Sequence, residues 1–451
     1  MHFTTHKELM ATPAHRKYSE TLLSRVRDTS LGVVAAAVAI VALVVVGVAY
    51  AVGHSSSHPN TTTAGPDNGG GGARVATTTA PVVPLSVVSI SPATSATNVA
   101  SNAPIQIQFS QPLKANATRP TLSPDVAGTW SVQGAMMTFA PQGGYLPYSA
   151  EQVTVPTTTA ATEGKKVTTL AAPYQANFTV AAGSTLRVQQ ILAELNYMPL
   201  QFVGSSAAPA TTAPTSTVPP AVGPGGAPAT TATTAATTTA AQTVASTVAA
   251  EATAANAVTV TPENGALTWR FPNIPSSLSA LWSEGKANTI DQGAIMAFES
   301  DHNMKMDGQA GPKVWAALVS ALAARQIDAR PYNYLIASEA SPESLRVWSS
   351  GSFIYSSPAN TGVAGAPTAK GTFPVFDRYA STTMSGSNPD GSTYHDPNIP
   401  YVAYFHGGDA VHGFTRGSYG SPQSVGCVEL PIGNAKVVYG MDPYGTLVTV
   451  E

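Results

Sequence analysis

From Leu31 to Val52 the chain reads LGVVAAAVAIVALVVVGVAYAV, about 22 residues without a charge. At ~1.5 Å per residue a helix of that length reaches ~33 Å, enough for the ~30 Å hydrocarbon core of a bilayer. Lys7, Arg16, Lys17, Arg25 and Arg27 precede it, and no Lys or Arg follows until Arg74. That asymmetry predicts a cytoplasmic tail at 1–30, a single-pass anchor at 31–52, and all later residues on the outer side of the cell membrane. A cleaved signal peptide is the alternative. AYAVGHS offers a small-residue cleavage site, and cleavage would leave a secreted protein.

Outside the cell, a chain of 451 residues with one cysteine, Cys427, has no internal disulfide to form. A buried thiol acting as a small hydrophobe is one reading of Cys427. Its setting, SVGCVEL, is a Ser/Gly turn that suits chemistry better, because an idle exported thiol is an oxidation liability. Net charge is −3, only 10% of residues are charged, and no basic run follows the apolar segment, which argues against nucleic acid as a partner.

Composition divides the remainder. Residues 53–84, rich in Thr, Ser, Gly and Pro, predict a flexible linker. From 85 to 182, short alternating runs such as APIQIQFS and EQVTVPTT between Pro, Gly and Asn predict a β-sandwich, a spacer without a catalytic grouping. Residues 184–326 predict a small α-helical bundle. Leu186, Ile191, Leu192 and Leu195 share one helical face, Asp307-Gly308 makes a turn, and Pro312 opens a helix that turns Trp315 and Leu318 inward. Within that bundle, 203–257 is almost wholly Ala, Thr, Pro, Gly and Val, a disordered insert by composition. Residues 331–451 predict a mainly β domain whose YVAYFHGGDAVHGF forms two strands about the Gly407-Gly408 turn, with His412 on the second.

His412 and Cys427 are the pair to weigh. A free thiol is mostly protonated at neutral pH, and a neighbouring imidazole can take its proton and return it to a leaving amine. The Gly426-Cys427 turn, with Ser424 and Val425 before it, could present backbone N–H donors to an oxyanion. Other candidates carry two readings each. Tyr394 and Tyr404 line a substrate groove or fill the core. His406, Gly407 and Gly408 form a solvent-facing turn or support the site. Arg416 meets a substrate carboxylate through its fork or is a solvated loop charge. HNMKMDG has no metal-ligand spacing, so no metal is expected.

The order SLRVWSSGSFIYSSPANTG, APTAKGTF, YFHGGDAVHG, SVGCVEL, GTLVTV resembles the YkuD-type L,D-transpeptidase catalytic domain over 331–451. SPATSATNVASNAPIQIQFSQPL resembles bacterial Ig-like domains, and AIMAFESDHNMKMDGQAGPKVWAAL resembles the peptidoglycan-binding helical module through Phe298, Asp307, Gly308, Gly311, Pro312, Trp315 and Leu318. Glu299 stands where that module usually has Gln, and an ordinary helical bundle is the alternative. The transpeptidase resemblance implies acyl transfer between peptidoglycan stem peptides, donor and acceptor, with no cofactor. Cys427 would be the nucleophile and His412 the proton donor and acceptor. The Gly413 carbonyl would orient the imidazole, and the product would be a 3→3 cross-link. Two positions depart from the family pattern: Val425 replaces a frequent His, and Glu429 replaces Asn or Arg, which touches stem recognition. An L,D-carboxypeptidase on the same scaffold and a non-catalytic wall-binding protein remain as alternatives. If the three modules divide the labour, a chain beginning near Pro331 retains the chemistry.

Overall fold

The computed structural model describes residues 83–163, 166–205 and 258–451. The expected tail, the anchor at 31–52, linker residues 53–82 and the stretch 206–257 lie outside the described residues. Among those described, no helix is long and apolar enough to cross a membrane.

The first module is a sandwich of two four-stranded sheets. Its strands are β1 (Val87–Ser91), β2 (Ala96–Val99), β3 (Ile105–Phe109), β4 (Thr121–Ser123), β5 (Gly128–Gln133), β6 (Met136–Pro141), β7 (Ala150–Val155), β8 (Ala160–Glu163), β9 (Lys166–Thr169) and β10 (Tyr174–Val180). The sheets run β1-β3-β6-β5 and β2-β10-β7-β4, with β8 and β9 as a separate ribbon. Alternation dictates the layers: Ile105, Ile107 and Phe109 of β3 are buried while Gln106 is exposed, and β7 buries Val153 and Val155.

Helix α1 (Thr185–Glu194) follows, burying Ile191 and Leu192, with Leu195 just beyond it fully buried. The chain then enters β11 (Leu200–Gly204), which pairs antiparallel with β12 (Gly265–Trp269). Val203 and Gly204 therefore belong to a strand and not to the insert expected from 203; low side-chain complexity begins before the backbone ladder ends. Because Gly204 pairs with Gly265, the two ends of the intervening stretch are held side by side. Arg187 secures the return. Its buried guanidinium pairs with Glu194 at 2.9 Å and Glu263 at 2.6 Å, and donates to the Thr259 carbonyl at 3.0 Å.

A short helix α2 (Ser276–Ser279) leads to α3 (Thr289–Asp301) and α4 (Pro312–Ala323). Asn288 and Asp291 form a reciprocal capping box at the start of α3, and Pro312 occupies the first turn of α4. Phe298, Trp315 and Leu318 are buried together. Glu299 accepts from the Asp307 and Gly308 backbone N–H groups, each at 2.9 Å, and so fixes the loop before α4. Either a carboxylate or an amide oxygen can do this, which accounts for Glu at a position where Gln also serves. Burial pushes its carboxyl up to about 7.

The last module packs two sheets against each other. One runs β15-β14-β13-β21-β16 and contains β13 (Asn333–Ser338), β14 (Ser344–Ser349), β15 (Ser352–Pro358), β16 (Gly371–Pro374) and β21 (Leu447–Val450). The other runs β17-β18-β19-β20 and contains β17 (Asp377–Ser387), β18 (Thr393–His406), β19 (Asp409–Gly413) and β20 (Val428–Leu430), with α5 (Ile432–Tyr439) beside it. Leu335, Ala337, Val347 and Val448 face Ala403, Val411, Val428 and Leu430 across the interior. The opposite face of the first sheet is buried too. Tyr334, Ile336, Trp348 and Leu447 belong to the same core as the helices, so the helical segment and the first sheet share one interior. Contact is close: a Cβ added at Gly293 of α3 would strike the Gly445 carbonyl and Leu447.

Candidate active site

Strand alternation sorts β19 and β20 into two faces. Val411, Val428 and Leu430 point into the core, which leaves Ala410, His412, Cys427 and Glu429 for the other face. There a cavity of about 300 Å³ is lined by His412, Phe414, Arg416, Val425, Cys427 and Glu429 on one side, and by Met384, Asn388, Tyr394, Asp396 and Ile399 of the β17–β18 hairpin region on the other. Cys427 is half-buried, one residue before β20, and packs with Ile399, Val402, Ala410 and Tyr404.

His412 is 3% exposed, and its Nδ1 lies 3.1 Å from the Gly413 carbonyl oxygen. A carbonyl only accepts, so Nδ1 carries the proton and Nε2 of the neutral ring holds the free lone pair. Burial lowers the His412 pKa below the ordinary imidazole value, with the Gly413 bond and Glu429 working against that shift. At Cys427, burial pushes the thiol up to about 12; the Ala410 N–H offsets this in part, and the charges of Asp409 and Glu429 add to it. The Cys427 thiol donates to the Gly408 carbonyl at 3.7 Å. Both shifts favour an uncharged resting pair.

The turn that presents Cys427 is tightly determined. Ser424 is buried; its hydroxyl donates to the Cys427 carbonyl, and its N–H donates to the Thr361 carbonyl at 3.0 Å. Thr361 is in turn clamped by Glu343, whose carboxylate accepts from its N–H at 2.7 Å and its hydroxyl at 2.9 Å. Gly426 has φ +113°, and a Cβ there would run into the Asp409 carboxylate. Gly426→Ala is therefore expected to lower the melting temperature by an amount equivalent to ~1–3 kcal/mol and to change the rate at which iodoacetamide alkylates Cys427. Unaltered values for both would show that the turn tolerates an L side chain.

The remaining sequence candidates separate. Tyr394 reaches the cavity wall, stacked over Gly386. Tyr404 does not: it packs on the same Ile399, Val402 and Ala410 cluster as Cys427 and edge-on to Tyr379, and burial pushes its phenol up to about 12. His406 and Gly407 also lie away from the cavity lining, whereas Gly408, itself outside the lining, supplies the carbonyl that accepts from the Cys427 thiol. His406 is half exposed, with its ring 4.5 Å from that of Phe373 and Nδ1 3.6 Å from the Asp409 carboxylate. Arg416 lines the cavity with part of its fork engaged by Glu429: Nε to Oε2 and Nη2 to Oε1 are both 2.7 Å. Glu429 is correspondingly buried, 4% exposed, rather than presented to a ligand. Sequence reasoning missed Met384, Asn388, Asp396, Ile399 and Phe414. The alternating STTMSGS and TYHDPNI stretches were the only signal for Met384, Asp396 and Ile399, and Asn388 sits just past the first of them.

Two families match the chain. Residues 333–450 match the L,D-transpeptidase catalytic domain and residues 81–180 match the bacterial Ig-like domain. No curated protein matches the chain. Solved structures similar to it include an L,D-transpeptidase from Mycobacterium smegmatis at 13% identity, covering 82% of this chain and 100% of that one with a TM-score of 0.25. Another is L,D-transpeptidase 3 from Mycobacterium tuberculosis in complex with a faropenem-derived adduct, at 11% identity, 81% and 97% coverage, and a TM-score of 0.25. The catalytic domain of an L,D-transpeptidase from E. faecium is 24% identical, with 28% and 100% coverage and a TM-score of 0.25. By the family matches, the chain carries an L,D-transpeptidase catalytic domain behind a bacterial Ig-like domain.

Proposed function

We propose that this protein is a peptidoglycan L,D-transpeptidase that works through a thioester on Cys427 and forms 3→3 cross-links. The observation that carries the reading is the placement of His412, on β19, and Cys427, in the turn that enters the neighbouring β20, on one cavity of a domain that matches the catalytic family.

The reaction follows from the resting state. With the thiol held high and the imidazole neutral, the proton moves as the sulfur attacks. His412 Nε2 takes it while Cys427 Sγ bonds to the carbonyl carbon joining the third stem residue to D-Ala. The oxyanion is received by backbone N–H groups of the Gly426-Cys427 turn, a type of contact worth ~2.7–4 kcal/mol per donor. Nε2 returns the proton to the leaving amine, the C–N bond breaks, and D-Ala departs. An amine on the third residue of a second stem then attacks the thioester, its proton passes to Nε2, and the sulfur recovers it as the new amide forms. The β17–β18 hairpin closes the outer side of the cavity and favours the amine over water. Tyr394 and Val425, on the walls, are candidate substrate contacts. The apolar run 31–52 would hold these domains at the outer face of the membrane, within reach of the wall.

Mass spectrometry of the protein incubated with a tetrapeptide stem tests the reading. The expected result is an added acyl-tripeptide mass on Cys427, chased by an acceptor stem into a cross-linked dimer. Free tripeptide without dimer would assign hydrolysis instead, and an unmodified Cys427 in folded protein would overturn the mechanism.

A further inference from the structure

The sheet face that carries His412 also carries an ion pair, Glu429 buried and Arg416 partly so, with side-chain exposures of 5% and 30%. Glu429 is the ladder partner of His412, so the two side chains stand side by side on parallel strands spaced ~4.8 Å apart. Both carboxylate oxygens of Glu429 are taken by the Arg416 fork. Arg416 is itself immobilised. Its Nη2 donates to the Gln423 carbonyl at 3.1 Å, its backbone N–H donates to the Tyr419 hydroxyl oxygen at 3.1 Å, and its guanidinium lies 4.6 Å over the Phe414 ring. Phe414 stands edge-on to the imidazole, 6.0 Å between centroids at 88°. Arg416 thus reaches His412 along two routes, through Glu429 and through Phe414.

Burying a carboxylate against a partly buried guanidinium is a poor route to stability, since apolar residues fill such space at least as well. Both residues line the cavity, but both carboxylate oxygens of Glu429 already accept from the fork, which leaves Glu429 poorly placed to bind a substrate. Both also flank the ring. Resting on the reading of His412 as the general base, we propose that Arg416 and Glu429 are a positioning pair for that ring: Glu429 steadies the imidazolium formed when the thiol gives up its proton, and Arg416 fixes the carboxylate and offsets its charge while the ring is neutral. The other ionisable groups facing His412 are the Cys427 thiol and Asp396 on β18, which has no ion pair among the described residues. Neither changes in the variants below.

The signs follow from charge. Removing Glu429 withdraws a negative neighbour and lowers the affinity of His412 for its second proton; removing Arg416 withdraws a positive one and raises it. The test is an NMR titration of the imidazole resonances of the full chain, with His412 assigned by the signal lost in His412→Gln. Glu429→Gln is expected to displace its titration downward and Arg416→Met upward, each by about one pH unit. The double variant should return close to wild type. The acid limb of Cys427 acylation against pH should move in the same two directions. Arg416→Lys keeps the charge but not the fork, so it should leave the limb in place while the plateau rate falls. A merely structural pair would change melting and plateau rate but not the limbs. Single variants with unmoved titrations, or with titrations displaced in the same direction, would overturn the proposal. Glu429→Gln is nearly isosteric and its amide oxygen still accepts from Arg416, so it decides alone if Arg416→Met does not fold: a downward displacement supports the pair, and none or an upward one overturns it. The titration needs no turnover, so an inert Cys427 would refute the proposed reaction without touching this result.

Discussion

Cys427→Ala should form no acyl-enzyme with a tetrapeptide stem or with a carbapenem, and its turnover should fall to the uncatalysed rate. His412→Ala should still bind stem but acylate ~10²–10⁴-fold more slowly. The asymmetry between the two comes from their environments. A thiol pushed well above its ordinary range by burial is almost wholly protonated at pH 7. Waiting for spontaneous ionisation is therefore not a usable path, and a base must act in the transition state. A base whose own pKa is lowered by burial is already neutral at pH 7 and available. The sign of the pH dependence is fixed by those directions. Wild-type acylation should rise as pH climbs through the lowered range of His412, then stay level until it approaches the raised range of the thiol. In His412→Ala the level region should disappear, and the rate should climb steadily with hydroxide as thiolate forms directly. Cys427→Ala acylating at the wild-type rate would end the thioester mechanism. A His412→Ala profile identical to wild type would remove the imidazole from it.

The parts of this site legible in the sequence are the local ones. One thiol beside a glycine, a histidine followed by glycine on a strand, and a glycine pair making the intervening turn are all short-range patterns, and backbone geometry converts them directly into structure: Gly426 has φ +113° and Gly407 +52°. The outer wall was not legible. STTMSGSNPDGSTYHDP is dominated by turn residues, yet it builds most of a hairpin with strands of 11 and 14 residues. The mutual pairing of β17 with β18 along their length, rather than propensity, extends it. The partnership of Arg416 with Glu429 was equally hidden. Thirteen residues separate them, and only the parallel register of β20 against β19 brings the carboxylate beneath the fork. Nor did NYLIAS reveal that it is covered on both sides. Leu335 and Ala337 face one core, while Tyr334 and Ile336 face another supplied by helices that come earlier in the chain.

That double burial changes what a chain beginning at Pro331 should do. Sequence composition makes 331–451 look self-sufficient, but its first sheet would lose the helices and the 265–274 segment from one face. Tyr334 and Trp348 are 0% exposed, Leu447 1% and Ile336 3%. Trp348 meets the Phe271 ring edge-on at 5.8 Å, Leu447 lies against Gly293, and Asn273 donates to the Gly351 carbonyl at 3.3 Å. Exposing four such side chains forfeits ~1.5–3 kcal/mol each, ~6–12 kcal/mol together. That equals the whole net stability of a typical domain, ~5–15 kcal/mol. The fragment 331–451 should therefore show no cooperative melt, bind a hydrophobic dye and acylate poorly. A fragment beginning at Ser184 keeps α1, α3, α4 and the β11–β12 ladder over that face, so it should melt cooperatively and acylate Cys427 as the longer chain does, with the Ig-like module absent. The dividing line of the enzyme then falls before α1, not at Pro331, and the helices serve the catalytic sheet as part of its core whatever else they bind. Cooperative melting of 331–451 at the temperature of the longer fragment, with full acylation, would show that the shared interior contributes little and that the two modules are separable after all.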